Sequence, residues 1–193
     1  VGNNYIFAFS GTQLSVQDVF SDLTLGMSQW LQNRDLIREE FTLAIAENSN
    51  AIFHFTGHSL GGALAQYAAF EYAQGKADEN PDMAAPFDLV TFNSLGGELA
   101  LNNPDLYPLV YDASITQTIN AAHYKITGDI FSRLGGDHIG GELLAIDRPV
   151  NTPLGAHPIA HFTTGLSGSG PVTLSEYQSA NIEESYLRID QAL

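Results

Sequence analysis

The stretch that most constrains this 193-residue chain is Thr56-Gly57-His58-Ser59-Leu60-Gly61-Gly62. It follows the short apolar run Ala51-Ile52-Phe53-His54-Phe55, suited to a buried parallel strand. After it, Leu60, Leu64, Tyr67 and Ala68 recur at helical spacing among small residues that allow close packing on a sheet. A G-x-S-x-G serine between strand and helix reads as an elbow that thrusts its hydroxyl out of the sheet on a strained backbone. Gly57 and Gly61 fit because side chains there would collide with the crossing strand and helix. The same letters occur by chance in glycine-rich loops, but here strand, turn and helix come in the required order.

The rest of the chain alternates in kind. Tyr5–Phe9, Phe87–Phe92 and Ala121–Thr127 read as further strands, Glu142–Ile146 as a short edge strand, and Trp30, Ile37, Phe41 and Ile45 as one face of a long helix. This predicts one α/β domain over 1–193, a three-layer sandwich with a mostly parallel central sheet. Residues 13–27 read as a short amphipathic helix or a flap. Residues 175–193 read as a terminal helix with a capping-box start at Ser175 and Gln178, docked through Ile182, Tyr186, Ile189 and Leu193.

Charge narrows the partners. Seven Lys plus Arg against 22 Asp plus Glu leave a formal charge of −15, which repels nucleic-acid phosphates and anionic membranes. Without cysteine there are no disulfides, thiolate nucleophiles or zinc–thiolate sites. No apolar run reaches membrane-spanning length and no signal peptide is visible. Val1 is not an initiator methionine, so a processed chain or a domain cut from a longer one is expected.

An activated serine needs a base and a carboxylate to orient it. In α/β-hydrolases these follow in the order serine, acid, histidine, from turns beyond later strands. Asp129 directly follows Tyr124–Gly128 and meets that order. Asp88 precedes its strand, and Asp112 sits in a loop without one. Asp129 as a mere turn or cap residue is the competing reading. Of the six histidines, His54 and His58 lie too close to the elbow for their side chains to swing round to the serine. His54 and His58 echo an H-x-x-x-H metal pair, but Phe55 stands where a zinc site needs glutamate. His123 precedes the acid. His138, His157 and His161 follow it, and order and loop context favour His157 with the other two behind. For the oxyanion, the Leu60 N–H at a helix start is one donor. Thr12, after the first strand, is the second, unless Ser10-Gly11-Thr12 is an ordinary strand-ending turn.

Phe55–Ala65 resembles, almost letter for letter, the T-G-H-S-L-G-G-A-L-A motif of the class 3 lipases, a family of α/β-hydrolases. Phe9-Ser10-Gly11-Thr12 with Asp18–Leu23 is similar to the family's oxyanion strand and its downstream D-L, Ser10 standing where arginine is usual. Thr91–Gly96 resembles T-F-x-x-P-G and Gly128–Leu134 resembles D-x-V-P-x-L, both without the proline. His138–Glu142 is similar to H-x-G-x-E, whose histidine is not catalytic, and His157–Phe162 resembles the final H-x-x-x-Y/F motif. His161 approximates that last motif too.

The resemblance implies a lipase-like carboxylic ester hydrolase with Ser59, Asp129 and His157 as triad and Thr12 and Leu60 at the oxyanion. It implies acyl-ester lipid as substrate and a lid over 13–27 that contacts lipid droplets or micelles, with a fixed core helix as the alternative. The cycle needs no cofactor or metal, and a secreted or extracellular setting is expected, though a cysteine-free chain fits the cytosol as well. A phospholipase A1, a feruloyl-type esterase, an acyltransferase and a non-catalytic lipid-binding module are the alternatives on the same scaffold.

Overall fold

The computed structural model describes residues 3–11, 24–147 and 154–163. Thr12, most of the expected lid (13–23) and the expected terminal helix (175–193) lie outside them. Five strands form the sheet: β1 (Asn4–Phe9), β2 (Ile52–His58), β3 (Phe87–Phe92), β4 (Ala121–Ile126) and β5 (Glu142–Ile146). All neighbours are parallel and the spatial order is the chain order, β1 to β5. Parallel pairing requires crossovers, and the chain supplies α1 (Met27–Glu47) between β1 and β2 and α2 (Leu60–Ala77) between β2 and β3. The short helices α3 (Glu98–Leu101) and α4 (Ala113–Thr116) fill the next crossover.

Strand alternation sorts the core into two layers. Phe53, Phe55 and Leu89 share one cluster with Trp30, Phe41, Tyr67, Phe70 and Tyr72 of α1 and α2. Phe41 meets Phe55 and Tyr72 edge-on with centroids 5.5 and 5.2 Å apart, contacts worth ~0.5–1.5 kcal/mol each beyond burial. Val90, Phe92, Tyr124 and Ile126 face the opposite way and are covered by Ala156 and Phe162, from the segment leading into α5 (Ala160–Thr163). The sheet is thus sandwiched between packed layers on both faces.

Three sequence expectations shift. Met27, the expected end of the lid, is instead the first residue of α1 and sits in the core, after a turn through Leu25 and Gly26. Asp88 is the second residue of β3, within the strand read at Phe87–Phe92, directly opposite His54 on β2, and the two side chains meet at 2.8 Å. Asp112 caps α4, accepting from the Ser114 N–H. Pairing register decides the second, and no local pattern carries register between strands 34 residues apart.

Candidate active site

The elbow forms because β2 must turn into α2 within one residue. Ser59 takes φ 57° and ψ −127°, a left-handed conformation that costs a non-glycine residue roughly 1–3 kcal/mol. Its backbone is pinned on both sides: Ser59 N–H donates to Phe92 O at 3.2 Å, and Ser59 O accepts from Gly62 N–H at 3.0 Å and Leu95 N–H at 3.3 Å. The flanking glycines leave no room. A Cβ on Gly57 would run into Gly61 O, and one on Gly61 into Phe9 O.

β4 ends at Ile126, and Gly128, at φ 92°, turns the chain so that Asp129 is presented behind the strand. The Asp129 carboxylate is buried, and its Oδ2 accepts the Ser132 N–H at 3.0 Å from the turn Phe131–Arg133. Oδ1 is 2.9 Å from His157 Nδ1, and His157 Nε2 is 2.7 Å from Ser59 Oγ. An ionised carboxylate only accepts, so Nδ1–H donates to Asp129 and the neutral ring's Nε2 accepts from the Ser59 hydroxyl. The imidazole is held between rings, with Phe131 at 4.1 Å and His58 at 4.8 Å between centroids.

The geometry thus joins Ser59, His157 and Asp129 in one hydrogen-bonded chain. The other histidines have different partners. His161 Nε2–H donates to Gly155 O at 2.6 Å, and His138 Nε2–H donates to Ser94 O at 3.0 Å. His123 is buried between Ile139 O and Thr91 Oγ1. Burial holds His58, His123 and His138 below the ordinary 6.5, with His123 pushed down to about 3. Leu60 opens α2, where N–H groups have no partner within the helix and the dipole favours negative charge. Thr12 falls outside the described residues, and Gly11 before it lies near Ser59.

One feature departs from the sequence reading: Ser59 is 7% exposed rather than open, with the imidazole bonded to its hydroxyl. His58 bonds to the base's own backbone and not to the serine: its Nε2–H donates to the His157 carbonyl at 2.7 Å. Asn93, not singled out in the sequence, donates to the same carbonyl at 2.8 Å. Its position right after a strand, in a residue type that tolerates positive φ, was the available signal.

The family model for class 3 lipase matches residues 5–95, from β1 through the elbow to the turn after β3. Over this segment the chain is similar to the class 3 lipases. The match to lipase sequence thus includes the strand, turn and helix around Ser59. A mutant form of MDLA from Penicillium cyclopium superposes with a TM-score of 0.56 at 23% identity, covering 92% of this chain and 69% of that one. A fungal lipase superposes with a TM-score of 0.54 at 20% identity, covering 95% and 67%. At those identities the likeness is one of fold, the α/β-hydrolase fold. No curated protein matches the sequence. Among the described residues, no helix is long and apolar enough to cross a membrane.

Proposed function

We propose that this lipase-like ester hydrolase cleaves acyl esters of lipids through an acyl-enzyme on Ser59. The observation that carries the reading is the chain Asp129–His157–Ser59, with links of 2.9 and 2.7 Å. Ser59 Oγ attacks the ester carbonyl while His157 Nε2 takes its proton, and Asp129 holds the imidazolium that forms. Collapse expels the alcohol, which receives that proton from Nε2. Water, activated by the same nitrogen, then releases the acid.

The tetrahedral oxyanion is received by the Leu60 N–H and by Thr12, each donor contributing ~3 kcal/mol to the transition state. The strained elbow supports this role, since it leaves the helix start and the serine side by side. Apart from substrate and water, the cycle uses protein side chains and backbone groups, so no cofactor is invoked. The apolar residues Leu14, Val16, Val19, Phe20 and Leu23 ahead of α1 favour a lid through which the protein meets a lipid surface. Turnover of p-nitrophenyl esters of short and long chains, beside phospholipid and feruloyl esters, tests the reading. Long acyl chains should be preferred. Hydrolysis confined to feruloyl esters would reassign the substrate class, and inertness toward all of them would refute the reading.

A further inference from the structure

Asn93 joins the two arms that bring Asp129 and His157 together. It follows β3 immediately, is completely buried and takes φ 42°, a conformation asparagine accepts more readily than most residues. Its Oδ1 accepts the Ile126 N–H at 2.8 Å, at the end of β4 three residues before Asp129. Its Nδ2 donates one hydrogen to Ala156 O at 2.9 Å and the other to His157 O at 2.8 Å. The side-chain amide has thus committed both its donors and its acceptor to backbone groups of the acid arm and the base arm. His58 Nε2–H adds a second bond to the His157 carbonyl, at 2.7 Å.

We infer that Asn93, with His58, is a positioning residue: the two donors clamp the His157 carbonyl and so set where the imidazole stands between Asp129 and Ser59. This rests on the hydrolase reading above. A carbonyl that accepts two side-chain donors fixes the backbone of the one residue whose ring must reach two partners at once. Asn93 also makes the strand that ends at Ile126 and the loop that carries His157 move as one body. Reaction rate is far more sensitive to such placement than binding is, because a displacement of about 1 Å can cost on the order of 100-fold in rate.

The test uses Asn93→Asp, which keeps shape and the acceptor for Ile126 N–H but replaces both donors by an oxygen that repels the two carbonyls. His58→Phe keeps a ring and removes the other donor. With a short, soluble p-nitrophenyl ester at pH 8, each variant should lower kcat by roughly 10–100-fold with KM within about twofold. The downfield proton resonance of the His157 Nδ1–H···Asp129 bond should broaden or vanish in each, with the thermal midpoint recorded as a fold control.

If Asn93→Asp does not fold, His58→Phe alone decides. Unchanged kcat and an intact resonance in a folded variant would overturn the clamp, as would an effect on KM alone. The resonance separates this inference from the reading it rests on. Wild-type protein that shows the resonance but turns over no ester refutes hydrolysis, while loss of the signal in the variants still supports the clamp.

Discussion

His157 Nε2 lies 2.7 Å from Ser59 Oγ, although 98 positions separate the two residues in the chain. Three of the five parallel strands set that distance: β2 ends at the serine, β3 at Asn93, and β4 just before Asp129.

Ser59→Ala should abolish ester hydrolysis while leaving a folded protein, since the hydroxyl contributes one hydrogen bond of about 1 kcal/mol. Ser59→Gly should be equally inactive yet melt higher than Ser59→Ala, because glycine relieves the strain at φ 57°. Thermal midpoints of the two variants check this, and a lower midpoint for the glycine variant would argue that the elbow is not strained.

His157→Ala should cost roughly 10⁴-fold or more in kcat/KM, comparable to losing the serine. His161→Ala loses only a bond to Gly155 O, and should cost less than about 10-fold. His138→Ala removes a donor to Ser94 O behind the elbow and should weaken stability more than turnover. Kinetics on a soluble ester, with melting curves, separate the three.

Glu71 is buried on α2 and accepts from Trp30 Nε1 at 2.9 Å, Arg34 at 3.3 Å and Arg38 at 2.7 Å. Glu71→Gln removes the buried counter-charge of two guanidinium groups, leaving Arg34 with the exposed Asp35 at 3.8 Å. Both arginines remain partly exposed, so the loss should be about 1–3 kcal/mol in unfolding free energy. Twelve residues along the helix from Ser59, roughly 18 Å, it should leave kcat unchanged. Urea titration and steady-state kinetics on the variant check both halves.

Stability should fall with acid below pH 6.5. The fold keeps His58, His123 and His138 neutral through burial, whereas in the unfolded chain each binds a proton near 6.5. Between 6.5 and the folded values the unfolded state holds more protons, so acid favours unfolding, and above 6.5 their contribution is fully present. Each such histidine adds a slope of ~1.4 kcal/mol per pH unit. His123, held near 3, keeps contributing down to the lowest pH. Urea midpoints at pH 7, 6 and 5 measure the slope, and His123→Gln should flatten it.

The elbow was legible because strand, glycines, serine and helix all fall within one contiguous segment, where local sterics decide the outcome. The parallel order could be read from the alternation of apolar runs and helical spacing. What was not legible depends on register and on distant segments. His54 and Asp88 face each other only because β2 and β3 pair in one register. His58 was set aside as the base because it cannot swing round to the serine, and its bond to the loop 99 residues on has no local signal. Asn93 looked like one more turn residue. Its three bonds exist only once β4 and the loop around His157 have come alongside. The low exposure of Ser59 has the same origin, in chain folded over it from elsewhere.

The most direct test is covalent: incubation with a fluorophosphonate, then intact mass and peptide mapping. One adduct per chain is expected, on Ser59, lost in Ser59→Ala and strongly slowed in His157→Ala. No adduct on folded wild-type protein, or an adduct that persists in Ser59→Ala, would contradict it.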